Sequence, residues 1–138
     1  MPHYEPVIIR PGYELAESHV DRFSRLLADS AVFTFRNDAT GAELTISYFP
    51  PFKTFRRSLA AALRNGQGQW LTLDGYLKAH QREDLIEKLQ SSAPESVQDF
   101  WSRGMATLSQ VSNKDSNFRD ILDGKTWEDI PMDFGRFK

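Results

Sequence analysis

Two stretches, AVFTFRN (31–37) and ELTISYF (43–49), alternate apolar and polar side chains around a short loop that ends in Gly41. Successive side chains of a strand point to opposite faces, so each run has one apolar face and one polar face. Phe33 and Phe35 share a face in the first run; Leu44, Ile46 and Tyr48 share one in the second, with Thr45 and Ser47 opposite. Two such runs around a loop of turn formers read as a β-hairpin over about 31–49. Its apolar face cannot stay in water, so the rest of the chain must supply a cover.

The flanking segments are read as that cover. Glu14 to Asp29 reads as a helix, with Leu15, Phe23 and Leu26 on one side, Val20 and Leu27 beside them, and Asp21, Arg22 and Arg25 outside. PPFKTFRRSLAAALRNG (50–66) also reads as a helix: Pro51 suits its first turn, Gly66 its exit, and Phe52, Phe55, Leu59, Ala62 and Leu63 fall at helical spacing. Tyr4–Ile9 is apolar, contains Pro6 and is a candidate edge strand. Trp70–Leu73 is a candidate short strand. Asp74 looks like the N-cap of a helical region through about Gln90, and the apolar period breaks near His80–Asp84. Pro94 opens a further helix carrying Val97, Phe100, Trp101, Met105, Leu108 and Val111 on one face, and Asn113–Leu122 reads as a last short helix stopped by Gly124.

Strands cluster early and helices late, which favours an α+β fold over a parallel βαβ arrangement. The expectation is a single compact domain over 1–138: a small antiparallel sheet, made of the hairpin plus one or two short strands, packed against helices. The C-terminal half is expected to be helical, with an extended tail at 126–138. That tail, TWEDIPMDFGRFK, places Trp127, Ile130, Met132, Phe134 and Phe137 around Pro131 and Gly135. Their spacing is not that of one amphipathic helix. An arm docked on its own domain is the reading we prefer, with an arm reaching a partner as the other.

The chain has no cysteine, which excludes disulfides, thiolate metal ligands and a cysteine nucleophile. The start, MPHYEPVIIRPGY, lacks a basic segment followed by an apolar run of signal-peptide length, and no stretch approaches the ~20 apolar residues of a membrane span. The expected location is cytoplasmic, with no membrane partner. There is no HExxH, no GxSxG elbow and no phosphate-binding loop; GQGQ (66–69) lacks the lysine and the context of one. His19 falls near the apolar side of its expected helix. His80, in KAHQRED, has Glu83 and Asp84 within one helical turn, which is a carboxylate–imidazole spacing but also an ordinary charged helix. No catalytic residue, metal site or cofactor is assigned.

The charge is unevenly spread. Residues 51–73 hold Lys53, Arg56, Arg57 and Arg64 and no acid, whereas 74–133 hold 12 Asp/Glu against 7 Lys/Arg. The basic group is the candidate nucleic-acid contact, since phosphates need clustered Lys and Arg. Its phenylalanines fall on the expected core face and the whole chain carries a net charge of −2, so nucleic acid is the weaker reading. The acidic half suits a protein partner with a basic surface: Glu83, Asp84 and Glu87 on one helix, Asp129 and Asp133 in the tail, and Trp127 as an aromatic anchor.

In size, charge and missing catalytic motifs the chain is similar to bacterial immunity proteins, which cover the active site of a cognate toxin, as in toxin–antitoxin pairs. It is equally similar to small phage- or plasmid-borne inhibitors and to secretion chaperones. No motif carries that resemblance, so no site transfers with it. The expected function is a protein-binding module of inhibitor or immunity type. The alternatives are a small enzyme using a His/carboxylate site around His80 or His19, and a nucleic-acid binder using the basic segment. A second copy of the chain is a further candidate partner.

Overall fold

The computed structural model describes residues 10–23, 28–51, 56–91 and 96–130. The fold is α+β. Its antiparallel sheet runs β1 (Glu14–Phe23), β2 (Ala28–Asn37), β3 (Ala42–Phe49), β4 (Arg57–Arg64) and β5 (Trp70–Thr72) in spatial as well as chain order. A two-residue strand, β6 (Gln90–Ser91), pairs with the start of β4. Among the described residues four helices follow the main strands: α1 (Leu73–Ala79), α2 (Glu83–Lys88), α3 (Val97–Lys114) and α4 (Ser116–Leu122). The expected strand at Tyr4–Ile9 and the residues after Ile130 lie outside the described residues.

The hairpin forms as its alternation requires, with Phe33 opposite Ile46 and Phe35 opposite Leu44. Asn37 fixes its turn: the side-chain Oδ1 accepts from the Ala39 and Thr40 amides, and Gly41 takes the left-handed φ of 77°.

Two expected helices are strands, and each case has a physical reason. In RSLAAALR, Leu59, Ala61 and Leu63 are buried at period two, while Ala60, Ala62 and Arg64 face the other way. The run LAAAL satisfies a helical period as well, because alanine is apolar at every position. Its high helix propensity is worth only tenths of a kcal/mol per residue. A central strand with β3 on one side and β5 and β6 on the other gains two ladders and a buried face, which outweighs that preference. Gly66 is accordingly a turn residue rather than a helix exit: a Cβ there would sit 2.4 Å from the Thr40 carbonyl oxygen. The second case is 14–23, which pairs along β2 with one bulge between Leu15 and Glu17. The apolar positions of ELAESHVDRF do not discriminate well between the two periods; β2 offers an open edge and settles it.

α3 is the main cover of the apolar face. Ser96 caps it by accepting from the Asp99 amide at 3.0 Å. Trp101 packs on Phe33 with ring centroids 5.4 Å apart, and Phe100 on Tyr48 at 5.9 Å. Gly104 lets the helix approach β4 closely, since a Cβ at that position would lie 2.1 Å from Leu59 Cδ1. At the other end of the chain, Arg10 grips Asp123 through two hydrogen bonds of 2.8 and 2.6 Å and donates a third to Asn113. The Tyr13 hydroxyl donates to the Leu122 carbonyl at 2.7 Å. Burial pushes the Tyr13 phenol up to about 12, so this bond persists across the working pH range.

Two predictions follow from this packing. Gly104→Ala forces Leu59, fully buried, out of its rotamer and should destabilise the protein by about 1–3 kcal/mol in urea unfolding. Adding Leu59→Val should recover part of that loss; a double variant less stable than the single one would remove the steric account. The Arg10 guanidinium holds the Asp123 carboxyl below its ordinary value of 3.8. A lowered folded-state value gives stability that is present above the unfolded value and lost as pH falls through the folded one. The melting-temperature gap between the parent chain and Asp123→Asn should therefore be constant above about pH 5 and close on acidification below about pH 4.

Candidate partner-binding surface

The sequence places its acidic candidates on α2, and the turn from α1 decides where they point. Thr72, rather than Asp74, caps α1: its Oγ1 accepts from the Gly75 amide at 3.1 Å, and Asp74 is buried in the first turn. α1 ends with Gln81 in the left-handed region at φ 58°. The Arg82 amide then reaches back to the Leu77 carbonyl at 2.7 Å and the Gln81 amide to Lys78 at 3.1 Å, a Schellman closure. The break expected near His80–Asp84 is this turn. α2 leaves it with Leu85 and Ile86 buried, so Glu83, Asp84, Glu87 and Lys88 face solvent.

A polar network ties the tail to that turn. Tyr76 is buried, and its hydroxyl lies 3.1 and 3.2 Å from the two Asp115 carboxylate oxygens, to which it donates. Asn117 Nδ2 donates to the Tyr76 oxygen at 3.2 Å and to Glu128 Oε1. The Glu128 carboxylate lies 2.9 Å from His80 Nε2 through both oxygens. A carboxylate only accepts, so Nε2 carries the hydrogen. The imidazole also lies over the Tyr76 ring, centroid to centroid 4.2 Å. Burial pushes the Tyr76 phenol up to about 12; the Asn117 bond opposes that rise and the Asp115 charge adds to it. Asp115 is doubly used, because the same carboxylate caps α4 by accepting from the Asn117 and Phe118 amides.

The tail enters the fold through this network. Trp127 and Ile130 pack, half-buried, against the core on either side of Glu128 and Asp129. The sequence pointed to Glu83 and Asp84 as the carboxylates beside His80; the structure places Glu128 there, from 48 residues away. Asp84 instead accepts from Arg82, Nε at 3.0 Å and Nη2 at 3.1 Å, and that bond holds its carboxyl below the usual range. Glu87 pairs with Arg56 at 2.7 Å. Glu83 is exposed, and Asp129 is exposed next to Glu128. Asp133 lies outside the described residues.

The basic candidates are not brought together. Lys53 lies outside the described residues, and Arg56 is engaged with Glu87 and Gln90. Arg57 is half-buried with its guanidinium 5.7 Å from the Phe100 ring centroid. Arg64 is seven residues further along a strand, roughly 23 Å away, on the opposite face, and is bound to Glu43. Residues 57–64 form β4, so no helix aligns Arg57 with Arg64. His19 lies in β1, opposite Val32, and not on a helix.

Among the described residues no group of three or more His, Cys, Asp or Glu side chains is placed to hold a metal ion. No described helix is long and apolar enough to cross a membrane. An apolar notch lined by Phe33, Phe35, Ile46, Trp101 and Met105 is a seam in the core packing with no room for a ligand. No family model, curated protein or solved structure matches the chain.

Glu128 and Gln81 had no sequence signal; neither stands in a motif. Both are testable. Glu128→Ala removes the bonds to His80 and Asn117 and should cost about 1–3 kcal/mol, with the summed emission of the three tryptophans shifting to the red as Trp127 loosens with the tail. A variant with unchanged emission would show that apolar contact alone holds the tail. Gln81→Gly relieves a left-handed non-glycine residue and should raise stability by up to about 1 kcal/mol in the same assay.

Proposed function

We propose that this is a protein-binding module of inhibitor or immunity type, which blocks a partner protein through the acidic surface around α2. The observation that supports this reading is the Glu128–His80 contact. It carries Asp129 to the α1–α2 turn, so that acids 45 residues apart in sequence, Glu83 and Glu128, border one region. Exposed Glu83 and Asp129 are the direct contacts for a basic partner. Asp84 and Glu87 add to the negative field and already hold Arg82 and Arg56, so they exchange arginines with a partner rather than bind from an empty state. The half-buried Trp127 offers its outer edge as an apolar contact at the border of that surface.

The chemistry of such a site is association. Complementary charge raises the encounter rate and is screened by salt, while a few apolar anchors supply most of the affinity. An inhibitor of this kind covers its target's site and transfers no groups.

The test is a tagged pull-down from the native host, followed by work with the purified partner. One stoichiometric partner is expected, with its activity lost on adding the protein. Glu83→Lys combined with Asp129→Lys should weaken binding at least tenfold, mainly through slower association, with the melting temperature within about 2 °C of the parent. Undiminished affinity of that double variant would rule out this surface. A partner that retains full activity in the complex would make the protein an adaptor.

A further inference from the structure

The sheet has a second face. Every described helix contributes its apolar side chains to one core cluster, which lies on the face of Phe33, Phe35, Leu44, Ile46, Leu59 and Leu63. Among the described residues no helix covers the opposite face. Across β2–β4 the middle of that face is built of small side chains, Thr34, Thr45 and Ala62 in one cross-strand row and Val32, Ser47 and Ala60 in the next, all half-buried; β1 adds exposed Glu17 beside Thr34, and Phe49 stands at the far end of β3. One end is closed by a row of charges that crosses four strands in register: Glu14, Arg36, Glu43 and Arg64. Glu43 holds both neighbours at 2.8 Å, and the two arginines hold its carboxyl below the usual range.

We propose that this face packs against the same face of a second copy of the chain. The order of the charges is self-complementary. Read across the sheet they run minus, plus, minus, plus. A two-fold axis lying between the copies, parallel to the strands and passing between β2 and β3, reverses that order without moving the row along the strands. Glu14 then faces Arg64 of the second copy, and Arg36 faces its Glu43, so each charge of this row meets its opposite, while exposed Glu17 on the edge strand β1 falls at the rim of the interface. A self-complementary patch of this kind is what an isologous interface requires. The same operation sets Thr34 against Thr45 and Val32 against Ser47, with small side chains that let two sheets approach closely. Trp70, 43% exposed beyond Arg64 on β5, falls past the edge strand β1 of the other copy and clears the interface.

The area limits the strength. Four strands about 4.8 Å apart and roughly eight residues long bury on the order of 500 Å² per copy. That is below the ~800 Å² per partner of a standard stable complex, so the dimer is weak and salt-sensitive. It leaves the α2 surface, which belongs to the helical layer, outside the interface. The inference therefore stands or falls separately from the proposed inhibitor function.

Sedimentation equilibrium of the full chain at low salt should give a monomer–dimer equilibrium below about 0.5 mM protein, with the dissociation constant rising several-fold in 0.5 M salt. Thr45→Arg places a long charged side chain near the axis and should raise that constant at least tenfold. The chain has no cysteine, so Thr45→Cys gives a single thiol. A short bis-maleimide should join two copies through it, and should leave Ser102→Cys, on the exposed side of α3, unlinked. A chain that is monomeric up to about 0.5 mM overturns the proposal. So does a dimer that Thr45→Arg does not weaken and that Thr45→Cys does not link. If Thr45→Arg fails to fold, the cross-linking pair decides between the two outcomes.

Discussion

The contact between α3 and β4 is the constraint on which the rest of the fold rests. The sheet presents one continuous apolar face, and α3 is the longest element that lies on it. Gly104 against Leu59 sets how closely it lies, and Trp101 and Phe100 set where, through Phe33 and Tyr48. Close packing there excludes water from the centre of the sheet. α4, which shares Asp115 as its cap with the end of α3, then has its direction fixed by α3.

From α4 the order spreads to both ends of the described chain. Arg10 and Tyr13 hold the last turn of α4 from the N-terminal side, at Asp123 and Leu122. Three turns also meet there. Thr40 touches Gly66 of the β4–β5 turn and Gly124 beyond α4, so closely that a Cβ at Gly66 or Gly124 would lie 2.4 or 3.0 Å from it. The tail therefore starts from a fixed point and reaches His80 after four residues. The candidate partner surface depends on this chain of contacts: the position of Asp129 follows from Glu128, Glu128 from α4, and α4 from α3.

The two faces of the sheet illustrate how one pattern serves two purposes. Alternation buries Phe33, Phe35 and Ile46 and leaves Thr34, Thr45 and Ser47 outside. In the middle of β2–β4 the outer residues are small and uncharged, and at one end acids and arginines alternate from strand to strand. Paired charges across neighbouring strands stabilise the sheet and discourage wrong registers, because a slip of one strand separates each acid from its arginine. The same alternation makes the row complementary to itself.

Much of this was legible in the residues. The hairpin, the short strand at Trp70, the broken helix around His80, the amphipathic α3 and the α+β class follow from alternation, caps and period, which are local properties. The identity of β1 and β4 was not legible, because ELAESHVDRF and RSLAAALR satisfy helical and strand periods almost equally well. Only the open edge of β2 and the vacant ladder beside β3 choose between them. The separation of Arg57 from Arg64 follows from that choice alone. The partner of His80 was equally hidden: local spacing offers Glu83 and Asp84, whereas the fold delivers Glu128. Sequence determined which residues are apolar, charged or turn-forming, and hence the class of the fold. Tertiary structure decided which of them meet, because long-range pairing energies exceed the small local preferences that a single sequence displays.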